Sequence, residues 1–370
     1  MSATYEMRLK EIVKALEELA PPMLQESYDN SGLIVGNPES EISSALLCLD
    51  STEDVVDEAI RLKCNLIIAH HPIVFGGLKR FTGSNYIERT VVKAIKNDIA
   101  IYAIHTNLDN VLHGVNAKIA EKLGLKNCRI LAPKKDQLRK LAVFCPETHA
   151  AELQNALFEA GAGSIGNYTE CSFSSTGTGT FKASHEASPF VGQLGERHQE
   201  AEKKVEVILP NYLLSKVLSA MLEAHPYEEV AYDVLAIENK YSKIGSGMIG
   251  ELDQKMGSSD FLNFLKERMN VSVIRATQAV GAVVSTVAVC GGSGSFLLSD
   301  AIRAGADVFV SADFKYHQFF DADGKIQIAD IGHYESEQFT MELLAEFMSG
   351  KFPKFAVHFT TVNTNPINYC

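Results

Sequence analysis

The sequence lacks the cysteine patterns of a disulfide framework or a cysteine zinc site. Its seven cysteines form no CxxC pair, and most lie inside apolar runs, such as ALLCLD around Cys48 and VAVCGG around Cys290. A free thiol in such a run behaves as a small hydrophobic side chain. An odd, scattered set of this kind is typical of a reducing compartment. We therefore expect a soluble cytoplasmic protein.

Long apolar runs and clusters of basic residues are also missing. No run of 18 apolar residues occurs, and the first 22 residues are a charged amphipathic pattern without the apolar core of a signal peptide. We therefore expect no membrane-spanning segment. The chain has 46 acidic and 34 basic residues, a formal net charge of −12. Because duplex nucleic acid is bound mainly through phosphate neutralisation, a nucleic-acid scaffold is the least favoured functional class.

What is present is a chain long enough for two or three domains, with 370 residues of which 46% are hydrophobic. Short apolar runs alternate with amphipathic stretches, which predicts an α/β protein with a mainly parallel sheet. The predicted helices cover 7–20 and begin again at Glu53, Tyr86 and Gly114. The predicted strands of this α/β part are 44–50, 65–71, 99–105, 285–290, 307–312, 326–331 and 355–362.

The middle of the chain has a different predicted order of strands and helices. Residues 126–137 form a polar joint, and a β-α-β-β-α-β order follows, which is the ferredoxin-like pattern. A Ser/Thr/Gly-rich hairpin is predicted within 169–183, and the polar stretch 183–202 is expected to be a loop. The helices of this part are predicted at 147–160 and 212–224. The α/β rhythm resumes near residue 245.

Histidine and carboxylate residues follow several of the predicted α/β strands. In open α/β sheets the ligand crevice lies beyond the carboxyl ends of the strands, so these side chains are expected to converge on one edge. They are His70, His71, His105, Asp109, Asp313, His317, His333 and Glu337. Their origin at both ends of the chain is the strongest sign of a functional site.

The segment His70-His71-Pro72 has the form of a metal platform. Successive residues of an extended chain point in opposite directions, so the two histidines suit two neighbouring ions, or one ion and a supporting partner. Pro72 keeps the preceding residue extended. A capping or core pair of histidines is the alternative interpretation.

His333 and Glu337 stand four residues apart in GHYESE, and on a helix they would share one face. Such a pair suits a divalent transition metal, and a carboxylate can bridge two ions where an imidazole cannot. Glu335 would point away and is expected to be solvated. His105 and Asp109 offer the same spacing in HTNLD, although pairs of this kind are also common on solvated helices.

The run CGGSGS, with Gly291, Gly292 and Ser293, follows a predicted strand. Glycines there would let backbone N–H groups converge on an anion at a helix N-terminus. A tight turn between strand and helix is the favoured explanation, because the run is neither a Walker A loop nor a complete GxGxxG.

The motifs YDNSGLIVG, AHHP, HTNLDN, CGGSGS, SADFKYH and GHYESE, in this order, resemble the Nif-three-like dinuclear metal-centre proteins, often labelled GTP cyclohydrolase 1 type 2 homologues. The resemblance implies a two-lobed α/β core formed by residues 1–125 and 246–370. Residues 126–245, with HPYEEVAYDV at 225–234, are similar to the PII/CutA-like, ferredoxin-like insert of longer bacterial members. The resemblance to this family also implies a ring-shaped homohexamer.

Residue by residue, the resemblance places the metal ligands on His70, His71, Asp109, His333 and Glu337. Glu337 would bridge two ions, with Asp109 and one of the paired histidines on one ion, and His333 and the other histidine on the second. The positions of His105, Asp313 and His317 match residues that line the family's pocket. Imidazole and carboxylate ligands suit Zn, Fe, Mn, Co or Ni.

Two functions are compatible with this site. The first is a metal-dependent hydrolase of a nucleotide or phosphoester, with His105 or His317 transferring protons and Asp313, Gly291, Gly292 and Ser293 near the substrate. The label of the resembled family would imply hydrolytic opening of the imidazole ring of GTP. The second is a non-enzymatic metal-binding or regulatory protein whose insert senses a ligand or gates the cavity.

Overall fold

The computed structural model describes residues 6–370; residues 1–5, which the predicted first lobe includes, lie outside this range. The chain divides into two compact units, Met1–Pro133 with Ser242–Cys370 and Lys134–Tyr241. Within residues 6–370, none of the helices combines the length and the apolar character that a bilayer crossing requires.

Strands and short helices alternate through the first part of the first unit, as the alternation of apolar and amphipathic stretches predicts. They are β1 (Met7–Arg8), α1 (Leu9–Leu19), β2 (Gly32–Val35), β3 (Glu41–Ile42), β4 (Ser44–Cys48), α2 (Glu53–Leu62), β5 (Leu66–Ala69), α3 (Tyr86–Lys96), β6 (Ala100–Ala103), α4 (Thr106–Asp109), α5 (Val115–Lys122) and β7 (Lys126–Pro133). The helix starts follow capping chemistry: the Thr52 and Asn85 side chains accept hydrogen bonds from the first turns of α2 and α3.

The second unit has the predicted β-α-β-β-α-β order. Its elements are β8 (Leu138–Pro146), α6 (Ala150–Glu159), β9 (Ser172–Lys182), β10 (Arg197–Pro210), α7 (Leu214–Ala224) and β11 (Tyr232–Ile237). The strands form an antiparallel sheet in the order β11-β8-β10-β9. Leu153 of α6 and Met221 of α7 are fully buried in one apolar cluster with Val143 and Val205 of the sheet.

The hairpin predicted within 169–183 is wrong. This segment is the single strand β9, paired with β10 along its length from Lys182 opposite Arg197 to Ser172 opposite Val207. Gly179 is extended and faces the carboxylate end of the Glu202 side chain, which would have to move to admit a Cβ there. The predicted loop 183–202 is shorter than expected, because β10 already begins at Arg197.

The rest of the first unit begins with a long strand and returns to alternating elements. They are β12 (Gly245–Gly257), α8 (Ser258–Met269), β13 (Arg275–Ala276), β14 (Val283–Ser293), α9 (Leu298–Arg303), β15 (Val308–Ala312), β16 (Gln327–Asp330), α10 (His333–Glu337), α11 (Thr340–Lys351) and β17 (Ala356–Phe359).

Two large sheets form the first unit. One has the order β17-β4-β5-β6-β2, in which β17, β4, β5 and β6 are parallel. The other has the order β13-β16-β15-β14-β12-β7, in which β14, β15 and β16 pair in parallel and the remaining pairings are antiparallel. Side chains of both sheets, such as Leu47, Ile68, Val289 and Val310, share one buried core with α5 and α11. This common core holds the carboxyl ends of β5, β6 and β16 together.

The polar joint predicted at 126–137 is a strand over most of its length. β7 (Lys126–Pro133) pairs with β12, and Pro133 lies opposite Gly245. β12 comes after the whole second unit in the sequence, so the local sequence around β7 does not indicate this pairing. Ile130 and Leu131 are the buried residues of this strand, whose first four residues are exposed and whose last two are half-buried.

Candidate metal centre

His70 and His71 directly follow the end of β5, where the chain bends. The His70 N–H donates to the Cys48 carbonyl at 3.2 Å and the His71 N–H to the Leu49 carbonyl at 2.9 Å, so the pairing with β4 continues beyond both strands. The two imidazole rings lie 4.9 Å apart between centroids and are tilted by 46° to each other. The His70 ring is fully buried, and its Nδ1–H donates to the Ile104 carbonyl at 2.8 Å. That bond leaves Nε2 of His70 as the atom with a free lone pair.

His71 lies between two carboxylates. Its Nδ1 is 2.8 Å from Oδ1 of Asp50, and its Nε2 is 2.9 Å from Oε2 of Glu337. Asp50 follows β4, the neighbour of the strand that carries His71. A carboxylate behind an imidazole fixes the orientation of the ring and makes its other nitrogen a stronger ligand.

The helix α10 supplies His333 and Glu337 from the end of β16. Glu337 is 2% exposed, and its two oxygens face different partners. Oε1 lies 3.7 Å from Nε2 of His70, whereas Oε2 lies 2.9 Å from Nε2 of His71 and 3.2 Å from Nε2 of His333. Behind His333, Nδ1 is 2.6 Å from Oδ2 of Asp313. Asp313 thus supports His333 as Asp50 supports His71.

Asp109 is the last residue of α4, and its backbone carbonyl accepts a hydrogen bond from Asn116 at 3.0 Å. Its Oδ1 lies 3.7 Å from Nε2 of His70. Both of these atoms are buried without a hydrogen-bond partner among the residues that the structure describes. Unpartnered buried polar atoms are costly, and a cation between an imidazole nitrogen and a carboxylate oxygen would satisfy both. The donor set therefore fits a metal ion.

The structure brings these side chains into overlapping groups that could each hold an ion. One is His71, His333 and Glu337, and another is His70, Asp109 and Glu337. Within each group, one ligand atom per residue lies within 4.8 Å of the others. A further group joins His70 and His71 with His105. Mixed nitrogen and oxygen donors of this kind suit divalent transition metals.

Burial and charge shift the protonation equilibria of the cluster. Burial alone would lower the pKa of His71, but Asp50 and Glu337 raise it to about 10. Burial also opposes the charged form of His333, yet Glu337 and Asp313 raise its pKa to about 11. The pKa of Asp109 rises to about 7 because the group is desolvated and faces Glu337. Burial would raise the pKa of Glu337, but the neighbouring His70 and His333 hold it well below its usual value.

Two supporting carboxylates were not found by sequence reasoning. Asp50 is one, although its place at the end of the run SALLCLD could have suggested it. Asp29 is the other, and it lies within the quoted motif YDNSGLIVG. Its Oδ1 is 2.8 Å from Nδ1 of His105, and its Oδ2 accepts hydrogen bonds from the backbone N–H and hydroxyl of Thr106. These hydrogen bonds hold the pKa of Asp29 well below its usual range despite burial.

His105 and His317 occupy different environments. The His105 ring lies 5.3 Å from the ring of His70 and 5.2 Å from that of His71, between centroids, and it lines the cavity of the cluster. His317 is exposed in a 3-10 helix, where its ring contacts Tyr316 and Phe320. The structure therefore does not bring His317 to the cluster, contrary to the sequence-based expectation.

Glu335 is not solvated, so that expectation is wrong. Its side chain is buried, and Oε1 accepts a hydrogen bond from Nδ2 of Asn365 at 2.9 Å. The residue does point away from the ligands, but the segment that follows β17 covers this side of α10.

The glycine turn allows close approach to the ligands. Gly292 has a φ of +60°, and an added Cβ would collide with Oε1 of Glu337 and lie 3.1 Å from the His333 ring. Its N–H donates to Ser336 Oγ at 2.9 Å, and the Gly291 N–H donates to Asn116 Oδ1 at 3.0 Å. These donors are already used within the protein, which favours the tight-turn explanation over an anion cradle. Ser293 is exposed and lines the cavity.

The cluster opens into a cavity of about 580 Å³ in the first unit. His71, Asp109, His333 and Glu337 line it together with the polar residues Asn110, Asn116 and Ser246. Exposed aromatic side chains also contribute, and these are Tyr28, Phe75, Tyr86 and Phe296. The volume is in the range of small-molecule sites, and the mixture of aromatic faces with a few polar groups is typical of them.

Comparison with known proteins identifies relatives over almost the whole chain. The family model described as Duf34/NIF3 (NGG1p interacting factor 3) matches residues 7–366. A GTP cyclohydrolase 1 type 2 homolog of Halalkalibacterium halodurans is 39% identical, over 97% of this chain and 98% of the relative. One of Bacillus subtilis is 37% identical, over 97% and 98%. A crystal structure of a Bacillus cereus protein related to NIF3 is 39% identical, with a TM-score of 0.85 over 98% of this chain and 99% of that one.

Proposed function

Because the chain belongs to the Duf34/NIF3 family, we propose that it binds two divalent metal ions at the cluster described above. The observation that carries the proposal is the position of Glu337. One of its oxygens faces His70, near Asp109, and the other faces His71 and His333. A single carboxylate shared in this way can bridge two ions. Zn, Fe, Mn, Co and Ni all suit the five ligands.

We further propose that the centre belongs to a hydrolase acting on a nucleotide or phosphoester. Bound divalent ions lower the pKa of water and polarise carbonyl or phosphoryl oxygens. Five protein ligands for two ions leave coordination positions for water and substrate. The relatives named GTP cyclohydrolase 1 type 2 homolog support a nucleotide. The exposed Phe75 and Tyr28 offer faces on which a base can stack.

His105 is the favoured proton-transfer group. It lines the cavity beside His70 and His71, and Asp29 holds its Nδ1. With Nδ1–H donated to Asp29, Nε2 is the atom that can accept or return a proton. A buried carboxylate behind a histidine stabilises the imidazolium form during such a transfer.

The experiment has a metal arm and an activity arm. Elemental analysis of gently purified protein should give two divalent ions per chain, and anomalous diffraction should place both beside Glu337. The metal-loaded protein is then assayed against a panel of nucleotides and phosphoesters beside His70→Ala and Glu337→Ala. We expect turnover only in the unsubstituted protein. Equal turnover in all three would overturn the hydrolase. Two bound ions without turnover of any substrate would favour the non-enzymatic, regulatory alternative.

We also infer that the second unit is an inserted ferredoxin-like domain. The sheet order β11-β8-β10-β9, with a helix after β8 and another after β10, supports this. Its limits, Lys134–Tyr241, lie inside the predicted 126–245. Since Pro133 pairs opposite Gly245, a short Gly/Ser linker can replace the unit. If the unit senses a ligand or gates the cavity, its removal should change activity or metal exchange but not metal stoichiometry.

The homohexamer and the cytoplasmic location stay predictions. Light scattering after size-exclusion chromatography should give a mass about six times the 40.5 kDa of the chain. A monomer or dimer at micromolar concentration would contradict the ring. Fractionation of the source cells tests the location.

A further inference from the structure

The segment formed by residues 360–370 runs from the end of β17 into the wall of the cavity. β17 pairs in parallel with β4, and the Thr360 N–H extends this pairing by donating to the Leu47 carbonyl at 3.0 Å. The segment therefore travels beside the chain that leads to Asp50. Asn365, Pro366 and Ile367 line the cavity.

A buried carboxylate fixes the start of this segment. Glu58 of α2 is 3% exposed and accepts hydrogen bonds from the hydroxyls of Thr360 and Thr361. It also accepts the backbone N–H of Thr361 at 3.1 Å, and Arg61 contacts it at 3.0 Å. Because Thr360 and Thr361 are both bonded to the buried Glu58 carboxylate, the backbone is fixed at the point where the segment turns towards the cavity.

Thr364 then contacts the support of one metal-ligand candidate. Its hydroxyl donates to Oδ2 of Asp50 at 2.8 Å, while Oδ1 of the same carboxylate is 2.8 Å from Nδ1 of His71. With both oxygens occupied, the carboxylate has a single orientation towards the imidazole. Groups that orient the supporting carboxylate of a ligand affect the ligand itself.

The adjacent residue, Asn365, contacts the other ligand-bearing element. Its Nδ2 donates to Oε1 of Glu335 at 2.9 Å, and the Tyr369 hydroxyl interacts with the same carboxylate. Glu335 lies between His333 and Glu337 on α10, a helix of 5 residues whose N-cap, Gly332, makes no side-chain hydrogen bond. Two consecutive residues thus hold the segments that bring His71 from β5 and Glu337 from α10.

We propose that Thr364 and Asn365 are positioning residues of the metal centre, which clamp the Asp50–His71 pair and α10 at the spacing that shared binding by Glu337 requires. This inference rests on the proposed metal centre. It assigns a role to residues 360–370 that no ligand motif indicates.

The test compares Thr364→Val, which removes the hydroxyl at nearly constant shape, with Thr364→Ser, which keeps it. Each full-length protein is stripped of metal and titrated with Co²⁺, with visible absorption and chelator competition as readouts. We expect Thr364→Val to weaken one of the two bound ions about tenfold and to alter its absorption bands. Thr364→Ser should match the unsubstituted protein, and the metal-free melting temperatures of all three should agree.

A double-substitution cycle shows whether Thr364 acts through Asp50. Thr364→Val should have no further effect on Co²⁺ affinity when it is added to Asp50→Asn, since the route through the carboxylate is already lost. Asn365→Leu should weaken the centre in both backgrounds, because it acts through Glu335. This cycle compares folded proteins by their Co²⁺ spectra and does not depend on turnover.

The outcomes separate the two proposals. An unsubstituted protein that binds no Co²⁺ overturns the metal centre and this inference with it. Two bound ions in the unsubstituted protein, together with an unchanged affinity in Thr364→Val, overturn only the positioning role. Equal losses in Thr364→Val and Thr364→Ser also overturn it, because a hydroxyl then does not explain the effect.

Discussion

The Nε2 atoms of His71 and His333 lie 3.4 Å apart, although 262 positions separate the residues along the chain. Both atoms face Oε2 of Glu337. Without metal both imidazoles are protonated near neutral pH, since their pKa values are about 10 and 11. The buried carboxylate between them offsets the repulsion of two like charges. One divalent cation in place of two protons would satisfy the same three side chains.

Metal loading should therefore release protons. At pH 8 the exchange of protons for metal at His71 and His333 should free about two protons per chain, because ligands bind metal in their deprotonated form. The measurement is isothermal titration with Zn²⁺ in buffers of different ionisation enthalpy. For the same reason metal affinity should rise with pH up to the pKa values of the two histidines.

The matched control for this release is His333→Ala. It should release about one proton fewer, since one of the two protonated imidazoles is gone. A heat of binding that does not depend on the buffer would contradict the prediction.

Asp109 should destabilise the metal-free protein at alkaline pH. Its pKa is raised to about 7 from 3.8, so the fold prefers the protonated carboxyl. The resulting stabilisation is fully present below pH 3.8 and is lost as pH rises towards and through 7. Asp109→Asn should thus melt a few degrees higher than the unsubstituted protein at pH 8, in the presence of EDTA.

The pH dependence of this gain is the check. The advantage of Asp109→Asn should shrink by pH 5, where the unsubstituted carboxyl is protonated in the fold, and the variant should bind one metal ion less tightly. At each pH the melting temperature of Asp109→Asn is compared with that of the unsubstituted protein. If the advantage of the variant is smaller at pH 8 than at pH 5, burial of the charge is not the cause.

The parts of the site that the sequence predicts are those set by local pattern. His70 and His71 end an apolar strand, and His333 and Glu337 share a helical turn, so the period of strand and helix places them. Strand and helix positions in the α/β part follow in the same way, to within a few residues at most element ends. The ends of parallel strands then bring these residues to a common edge.

What the sequence does not reveal depends on contacts distant along the chain. The pairing of β7 with β12 spans the whole second unit, so the 126–137 segment looks like a polar joint. Glu335 is in contact with Asn365 and Tyr369, which lie at least 30 residues away in the sequence. Asp50 meets His71 across neighbouring strands. The glycines of β9 predict a turn, whereas the long pairing with β10 keeps them extended. In each case a tertiary partner overrides a local preference.

The two histidines proposed for proton transfer should now behave differently. His105→Ala removes an imidazole from the cavity and should lower turnover about 100-fold, a usual size for the loss of a general acid or base. His317→Ala should leave turnover unchanged, because the ring is exposed and packs on Tyr316 and Phe320. Steady-state kinetics on the substrate found by the panel, with metal content measured in parallel, checks both.

A combined loss of metal and activity in His105→Ala would assign this residue to the ligands instead, as its group with His70 and His71 allows. Equal turnover of His105→Ala and the unsubstituted protein would remove it from the mechanism altogether.

Alanine substitutions at Gly292 and Gly305 distinguish two effects of an added Cβ: a collision with the metal ligands and strain in the backbone. Both have positive φ values, +60° and +77°, so an alanine at either should cost about 1 kcal/mol of folding free energy. An added Cβ at Gly292 would meet Glu337 and His333, whereas at Gly305 it meets no atom within 4 Å. Only Gly292→Ala should therefore weaken metal binding, and chemical denaturation should show a larger loss of stability for Gly292→Ala than for Gly305→Ala, because the collision adds to the backbone strain. Normal Co²⁺ spectra in Gly292→Ala would mean that the turn has room to spare, and that the approach of β14 to Glu337 does not shape the site.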